Sequence, residues 1–359
     1  MGLHRYLMSR VSILLVLAAI WRASIGVRGA FAWYIPPPGT SFYWQLSGSQ
    51  PGLVDMTVNA QVYDIDGFAT SAATIARLHA AGRKVVCYFS FGSAEDYRSD
   101  YSQFPRSTLG GLVCNSDDCS EVWEGERWLD VRSSVVRSVL EKRVQLAKRK
   151  GCDSIEPDNL DAWSNNIMYK TISRFKITAA DQANFNFWIA RTVHKYGMSV
   201  GLKNPGSLLP AQMGAAFDWA LVEQCNQYSD WSQGLWYSGK YGCDYANEFV
   251  VRGKAVFIAE YTDSWGTTAG RKNGIQFPQA MCADNNAHGF TTRLYNMDLE
   301  PGYRYPFADC LRHKPAGCDG VWRQCIKPAV YQPFLQSGMK RWDAVGQCMR
   351  SKVAQCAYK

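Results

Sequence analysis

Residues 134–158 read SVVRSVLEKRVQLAKRKGCDSIEPD, and this stretch contains the repeating unit of the fold. Its first part places apolar residues at helical spacing on a basic background, which predicts a helix over 134–151. Gly151 ends that pattern, as glycine commonly does where a helix passes into a strand. The run that follows, 152–158, begins with small and apolar side chains and ends in acids, which predicts a strand with a polar end.

The same unit recurs along the chain. Eight short runs rich in β-branched and aromatic residues predict strands, at 41–46, 60–66, 84–90, 152–158, 199–204, 219–224, 255–261 and 290–296. Helical patterns lie between them, at 71–82, 134–151 and 181–197. Eight strands alternating with helices predict an α/β fold, the (β/α)8 TIM barrel. A doubly wound open sheet is the competing arrangement, but no GxGxxG motif or phosphate loop follows an early strand.

Both ends of the chain differ from the barrel region. Residues 1–30 carry basic residues, then an apolar run, then small residues, which is the pattern of a secretory signal peptide. We therefore expect a secreted protein whose catalytic barrel covers 31–305. Residues 306–359 are rich in cysteine and predict a small disulfide-rich C-terminal extension. No later apolar run reaches membrane length, so we expect no membrane contact after signal removal.

The net charge does not indicate a nucleic-acid partner. The formal value is +8, but Arg5, Arg10, Arg22 and Arg28 lie in the predicted signal peptide. The remaining excess is spread along the chain without the basic cluster that a phosphate-binding face requires. The one local concentration, at 141–150, has helical spacing and is interpreted as a solvated helix face.

Twelve cysteines in an exported chain predict disulfides. Cys87 and Cys152 lie in predicted strands and are interpreted as buried thiols, which leaves ten cysteines for up to five bridges. Cys114 and Cys119 enclose a short polar loop and are predicted to pair. A zinc site is not favoured, because CxxC spacing is missing.

Polar and aromatic side chains mark the ends of nearly all predicted strands. In a barrel the C-terminal strand ends meet on one face, where barrel enzymes carry their chemistry. The pattern therefore predicts one site built from many strands. Its candidate members are Trp44, Gln45, Asp64, Asp66, Tyr88, Glu156, Asp158, Lys203, Asn204, Glu223, Glu260, Tyr261, Tyr295 and Asn296.

Acids at two of these strand ends are the candidates for catalysis. Glu156 and Asp158 lie two apart and share a strand face, so Lys203 is the expected cationic partner. Glu223 lies at the end of the predicted strand 219–224, which is the second strand after 152–158. Asp153 and Asp161 are interpreted as structural, in caps or turns.

Two carboxylates surrounded by tryptophan and tyrosine rings are the groups that glycoside hydrolysis requires. A serine or cysteine nucleophile is poorly supported, because no GxSxG motif occurs. A calcium loop at 153–163 lacks the glycine and the acid spacing of an EF-hand. We expect no metal and no cofactor.

A set of motifs in this order resembles glycoside hydrolase family 114, the endo-α-1,4-polygalactosaminidases. The motifs are WYIPPPGTSFYWQLSG (33–48), VYDIDGF (62–68), KVVCYFSFGSAEDYRSD (84–100), GERWLDVR (125–132), IEPDNLDAW (155–163), VGLKN (200–204), VEQC (222–225) and GKAVFIAEY (253–261). The resemblance implies a (β/α)8 barrel that cleaves α-1,4-linked galactosamine within a polymer such as galactosaminogalactan.

By this resemblance Asp158 is the nucleophile and Glu223 the general acid/base of a retaining mechanism. The expected substrate-binding residues are Trp44, Asp64, Asp66, Tyr88, Glu156, Lys203, Asn204, Glu260 and Tyr261. The expected partner is the polysaccharide, and the chain is expected to be a monomer. Two alternatives stay open: a carbohydrate-binding barrel without turnover, and a hydrolase of another α-linked hexosamine or galactose polymer.

Overall fold

A computed structural model describes residues 33–47, 52–114, 122–164, 175–204, 211–226, 243–261, 285–286 and 288–300, with Cys282, Lys327 and Cys348. The predicted signal peptide lies outside the described residues, as does nearly all of the predicted C-terminal extension. The division into signal peptide, barrel and extension stays a prediction.

Each of the eight predicted strands is present. Their bounds are β1 Phe42–Gln45, β2 Val62–Asp66, β3 Lys84–Ser90, β7 Ser154–Asp158, β8 Ser199–Lys203, β9 Trp219–Glu223, β10 Val256–Tyr261 and β11 Thr291–Tyr295. All eight run parallel, in the order β1-β2-β3-β7-β8-β9-β10-β11. A second sheet, with the antiparallel order β4-β6-β5, is inserted after β3; its strands are β4 Ser93–Glu95, β5 Leu109–Cys114 and β6 Val122–Leu129.

The first and last strands lie side by side and bring the sheet round into a barrel. The Trp44 amide donates to the Tyr295 hydroxyl at 3.1 Å, and the Thr291 hydroxyl donates to the Thr40 carbonyl at 2.8 Å. The (β/α)8 TIM barrel predicted from the sequence is confirmed.

The described helices lie between the barrel strands. They are α1 Ala72–Ala80, α2 Ser134–Lys150, α3 Ala179–Lys195, α4 Ala211–Ala216 and α5 Asn247–Val250. Ser71 and Ser133 cap the first two, and Gly151 ends α2 in the left-handed conformation that its sequence position predicts. Thr178 and Asp181 form a capping box on α3. None of these helices is long and apolar enough to cross a lipid bilayer.

Large aromatic rings fill the barrel interior below the C-terminal strand ends. Phe42 stacks on Phe257 with ring centroids 4.2 Å apart, and the Trp219 indole donates to the Ser154 hydroxyl at 2.9 Å. A Cβ on Gly201 would lie 2.5 Å from the Trp219 ring, so the indole requires glycine at this point of β8. This packed layer supports the polar residues above it.

The interpretation of Cys87 and Cys152 as buried thiols is wrong, because the two form a disulfide between β3 and the chain two residues before β7 begins. Strands β3 and β7 are hydrogen-bonded neighbours, and this pairing brings the two Cα atoms to 6.0 Å. A second disulfide joins Cys225 to Cys243. Cys114 is also disulfide-bonded, but Cys119 lies outside the described residues, so their pairing stays a prediction.

The Cys87–Cys152 disulfide closes a sequence separation of 65 residues, against 18 for Cys225–Cys243. Since loop-closure entropy grows with loop length, we expect the double variant C87A/C152A to lose about 4 kcal/mol of unfolding free energy. The matched variant C225A/C243A should lose about 1 kcal/mol less. Urea denaturation followed by circular dichroism measures both, and an equal or reversed loss would contradict the loop-length argument.

Candidate active site

The ammonium of Lys203, at the end of β8, is the centre of the site. Its Nζ atom lies 3.0 Å from Oε1 of Glu156, 3.1 Å from Oδ1 of Asp158 and 3.1 Å from Oε2 of Glu223. The ring of Trp44 lies against the same ammonium, 4.6 Å from Nζ to the ring centroid. Lys203 therefore brings side chains from four strands together in the barrel mouth.

Burial and charge act in opposite directions on this lysine. Burial alone would lower the pKa of Lys203, but Asp158, Glu156 and Glu223 together raise it well above its ordinary value. The ammonium is thus retained, and it supplies the positive charge that three neighbouring carboxylates need.

Asp158, at the end of β7, is held by three donors. Besides Lys203, the Tyr88 hydroxyl donates to Oδ2 at 3.2 Å and the Asn159 amide donates to Oδ1 at 2.8 Å. Burial, reinforced by the Asp158 charge, raises the pKa of Tyr88 well above its usual range, so its hydroxyl stays a donor. The carboxylate is one-fifth exposed and faces the barrel mouth.

Glu223, at the end of β9, has an equivalent set of donors. Asn204 donates through Nδ2 to Oε2 at 2.7 Å and accepts from the Glu223 amide at 2.9 Å. The Tyr261 hydroxyl donates to Oε1. Burial and the Glu223 charge raise the pKa of Tyr261 well above its usual range. Each candidate catalytic carboxylate is therefore oriented by Lys203, a tyrosine and an asparagine.

Left-handed backbone occurs immediately after three consecutive barrel strands. Asn159, Asn204 and Gln224 have φ values of 61°, 41° and 55°, and they follow Asp158, Lys203 and Glu223. Such conformations are uncommon outside glycine and concentrate at functional sites, where the surrounding structure holds them in place. The sharp bend after each strand fixes the direction of the charged side chain before it.

The inserted sheet fixes the bend at Asn159. The Asn159 side chain donates to the hydroxyls of Ser90 and Ser93 at 3.0 and 3.1 Å, and to Oε1 of Glu126 at 2.8 Å. Burial raises the pKa of Glu126 to about 7. A Cβ on Gly92 would lie 1.7 Å from the Asn159 carbonyl oxygen, so the chain approaches too closely for a side chain there. Glu126 was not anticipated from the sequence, since nothing in β6 indicates which strand end it contacts.

The other predicted substrate-binding residues occupy different surroundings. Trp44 is buried beside Lys203, and Asp66 is paired with Arg98 at 2.8 Å. Glu260 is buried and accepts both the amide and the Nδ2 hydrogens of Asn226 at 2.8 Å. Asp64 lies below the cluster in the barrel interior. A substrate contact by any of these four stays a prediction.

Two further acids, Asp153 and Asp161, lie on opposite sides of β7 in the sequence. Asp153 precedes β7 and pairs with His79 and Lys84, each at 2.7 Å, which is a structural role. Asp161 follows β7, and burial with the nearby Asp158 charge raises its pKa to about 6.

Comparison with known proteins identifies the family. The family model for glycoside-hydrolase family GH114 matches residues 27–325. The chain belongs to family GH114. Among solved structures, Aspergillus fumigatus Ega3 in complex with galactosamine is similar, with 35% identity, a TM-score of 0.61, and coverage of 76% of this chain and 97% of that chain. This GH114 chain is therefore a glycoside hydrolase.

The glycoside hydrolase domain of PelA from Pseudomonas aeruginosa also matches, with 13% identity, a TM-score of 0.49, and coverage of 72% of this chain and 95% of that chain. None of the curated proteins matches the chain significantly.

The role of Lys203 in this GH114 site can be tested with Lys203→Met, which keeps an unbranched side chain one atom shorter and removes its charge. Leaving buried carboxylates without their counter-charge should lower the free energy of unfolding by about 3–5 kcal/mol near neutral pH. The Lys203→Met variant should also lose its glycosidase activity. Lys195→Met is the control, because Lys195 pairs with Glu141 on the surface and its removal should leave stability nearly unchanged.

The penalty in Lys203→Met should depend on pH. Burial raises the pKa of Glu156 to about 7 even with Lys203 present, and without the lysine it should rise further. A carboxyl whose folded pKa exceeds its unfolded value destabilises the fold above that pKa, and the effect disappears as the pH falls through it. Urea denaturation should therefore show a smaller loss of unfolding free energy in Lys203→Met, relative to the wild type, at about pH 5 than at about pH 8. A pH-independent penalty would argue against this charge balance.

Proposed function

We propose that this GH114 enzyme is a secreted endo-glycosidase that hydrolyses α-1,4-linked galactosamine within a polymer of the galactosaminogalactan type. The observation that carries the proposal is the pair Asp158 and Glu223, which end two strands of the barrel and contact one buried ammonium. Membership of GH114 and the similarity to Ega3, solved with galactosamine, support the substrate class.

The spacing of the two carboxylates supports a retaining mechanism. Oδ1 of Asp158 and Oε2 of Glu223 each lie 3.1 Å from Nζ of Lys203, so these oxygens are at most twice that distance, about 6.2 Å, apart. Retaining glycosidases hold their carboxyl groups about 5–5.5 Å apart, whereas inverting enzymes need about 6.5–9.5 Å to admit a water.

In the proposed reaction Glu223 starts protonated and Asp158 ionised. Glu223 gives its proton to the glycosidic oxygen as the bond from that oxygen to the sugar C1 breaks, and Asp158 forms an ester with C1. Water then attacks C1, Glu223 takes a proton from it, and the Asp158 ester breaks. The Tyr261 hydroxyl, which contacts Oε1 of Glu223, can donate to the ionised form and accept from the protonated form.

The charge of the barrel mouth suits a substrate that carries free ammonium groups. Lys203 is surrounded by more acids than one ammonium can neutralise, namely Glu156, Asp158, Asp161 and Glu223. A cationic sugar entering this mouth meets a negative potential. Tyr88, Asn204 and Tyr261 surround the two catalytic groups and are the proposed contacts for the cleaved sugar.

Export is proposed from the N-terminal sequence pattern together with the disulfides Cys87–Cys152 and Cys225–Cys243, which are typical of oxidising compartments. We further propose that the enzyme acts as a monomer, because a barrel that carries both carboxylates on one chain needs no second subunit for the chemistry.

Removal of either proposed catalytic group should abolish turnover or reduce it strongly without unfolding the barrel. We expect Asp158→Asn to release no detectable oligosaccharide from a galactosamine polymer, and Glu223→Gln to be slower by about 10²–10⁴-fold. Asp130→Asn is the control, since Asp130 pairs with the neighbouring Arg132 outside the site. Product analysis by mass spectrometry and melting curves should be run on all four proteins. Wild-type rates in either site variant would refute the assignment.

The linkage and substituent can be tested on a polymer series of graded N-acetylation. Cleavage should increase with the fraction of free amine and yield oligomers rather than monomers from the start. Preference for fully acetylated or neutral galactose chains would favour another α-linked polymer as substrate.

Stereochemistry gives an independent test. Proton NMR of the first products should show the α-anomer before mutarotation, because double displacement keeps the configuration at C1. An initial β-anomer would contradict the covalent intermediate while leaving the hydrolase assignment intact.

A further inference from the structure

Three carboxylate oxygens below Lys203 receive no hydrogen bond from any N–H or O–H group of the described residues. They are Oδ1 and Oδ2 of Asp64 and Oε2 of Glu156, and both residues have 0% exposure. A buried acceptor without a donor is rare in folded proteins and destabilising. Two such groups beside the catalytic pair therefore need an explanation.

The two side chains can satisfy each other. Asp64 lies on β2 and Glu156 on β7, on either side of β3, and their carboxyl groups are within hydrogen-bonding reach. Two ionised carboxylates cannot form a hydrogen bond, because both only accept. One proton shared between them converts a repulsive contact into a short charge-assisted bond.

We propose that Asp64 is a neutral carboxylic acid that donates to Oε2 of an ionised Glu156, and that this pair is the support which positions Lys203 between Asp158 and Glu223. Asp64 and Glu156 are then positioning residues, since they act on the reaction through Lys203. The catalytic consequence rests on the proposed function, whereas the protonation state does not.

The contacts of Glu156 indicate which partner holds the proton. Oε1 of Glu156 accepts from Nζ of Lys203 at 3.0 Å, which favours an ionised Glu156. No such ammonium contact is made by Asp64. Burial, followed by the Glu156 charge, accordingly raises the pKa of Asp64 well above its ordinary range, while that of Glu156 rises only to about 7.

The charges around Asp64 oppose loss of this proton. The titratable groups on the surrounding strand ends are Asp66 on β2, Tyr88 on β3, Glu156 and Asp158 on β7, Lys203 on β8, Glu223 on β9, Glu260 and Tyr261 on β10, and Tyr295 on β11. Lys203 is the one cation among them, and it already contacts the ionised Glu156 and Asp158. A further negative charge on Asp64 would have no counter-ion of its own, so Asp64 remains neutral.

Infrared spectroscopy tests the protonation state without requiring activity. At about pH 9, groups with a pKa of about 7, such as Glu126, are ionised, so a protonated carboxyl C=O band should report Asp64. The band should be present in the wild-type protein, absent in Asp64→Asn and unchanged in the control Glu126→Gln. Absence from the wild type, or persistence in Asp64→Asn, would overturn the proposal.

Kinetics test the positioning role. Asp64→Leu keeps the branching of the side chain but removes the donor, and we expect kcat on the galactosamine polymer to fall by about 10²-fold with KM changed little, since a displaced Lys203 misplaces both catalytic groups. Asp64→Asn keeps a donor towards Oε2 of Glu156 and should recover at least about tenfold of that loss. An Asp64→Leu protein with wild-type kcat, or equal loss in both folded variants, would contradict the role.

The two tests separate the possible failures. If the wild-type enzyme does not cleave the polymer but shows the Asp64-dependent band, the proposed substrate is wrong and the inferred proton stands. If Asp64→Leu does not fold, the infrared comparison with Asp64→Asn still decides the protonation state.

Discussion

A single buried ammonium determines the organisation of this GH114 site. Lys203 contacts Glu156, Asp158 and Glu223 within 3.1 Å, in a region where an isolated charge of either sign would be strongly destabilising. None of the four groups is stable there alone, so each requires the others. The positions of the proposed catalytic carboxylates thus depend on the barrel bringing β7, β8 and β9 into register.

That register depends on the apolar layer beneath. Gly201 leaves space for the Trp219 ring on the neighbouring strand, and Trp219 in turn is hydrogen-bonded to Ser154 on β7. Because side chains alternate along a strand, Ser154, Glu156 and Asp158 share the interior face. The packing of an indole in the lower barrel thereby determines which way the acids of β7 point.

Much of the fold was predictable from the sequence, because strand and helix periodicities are local properties. The eight strands and the helix ending at Gly151 were predicted close to their observed bounds. The contact of Lys203 with the acids of β7 was also predicted. Most other contacts between distant segments were not predictable. The Cys87–Cys152 disulfide, the contact of Glu126 with Asn159, and the proton between Asp64 and Glu156 each depend on the three-dimensional neighbour, which no local pattern specifies.

The Cys87–Cys152 disulfide has a consequence for the evolution of the enzyme. It ties β3 to the residues just before β7, so the inserted sheet and α2 lie in a covalently closed segment whose ends keep a fixed separation. Changes of length between β3 and α2 leave this covalent link in place. Exchange of the segment between relatives is then limited by its contacts with Asp158 and Asn159, which come from Tyr88, Ser90, Ser93 and Glu126.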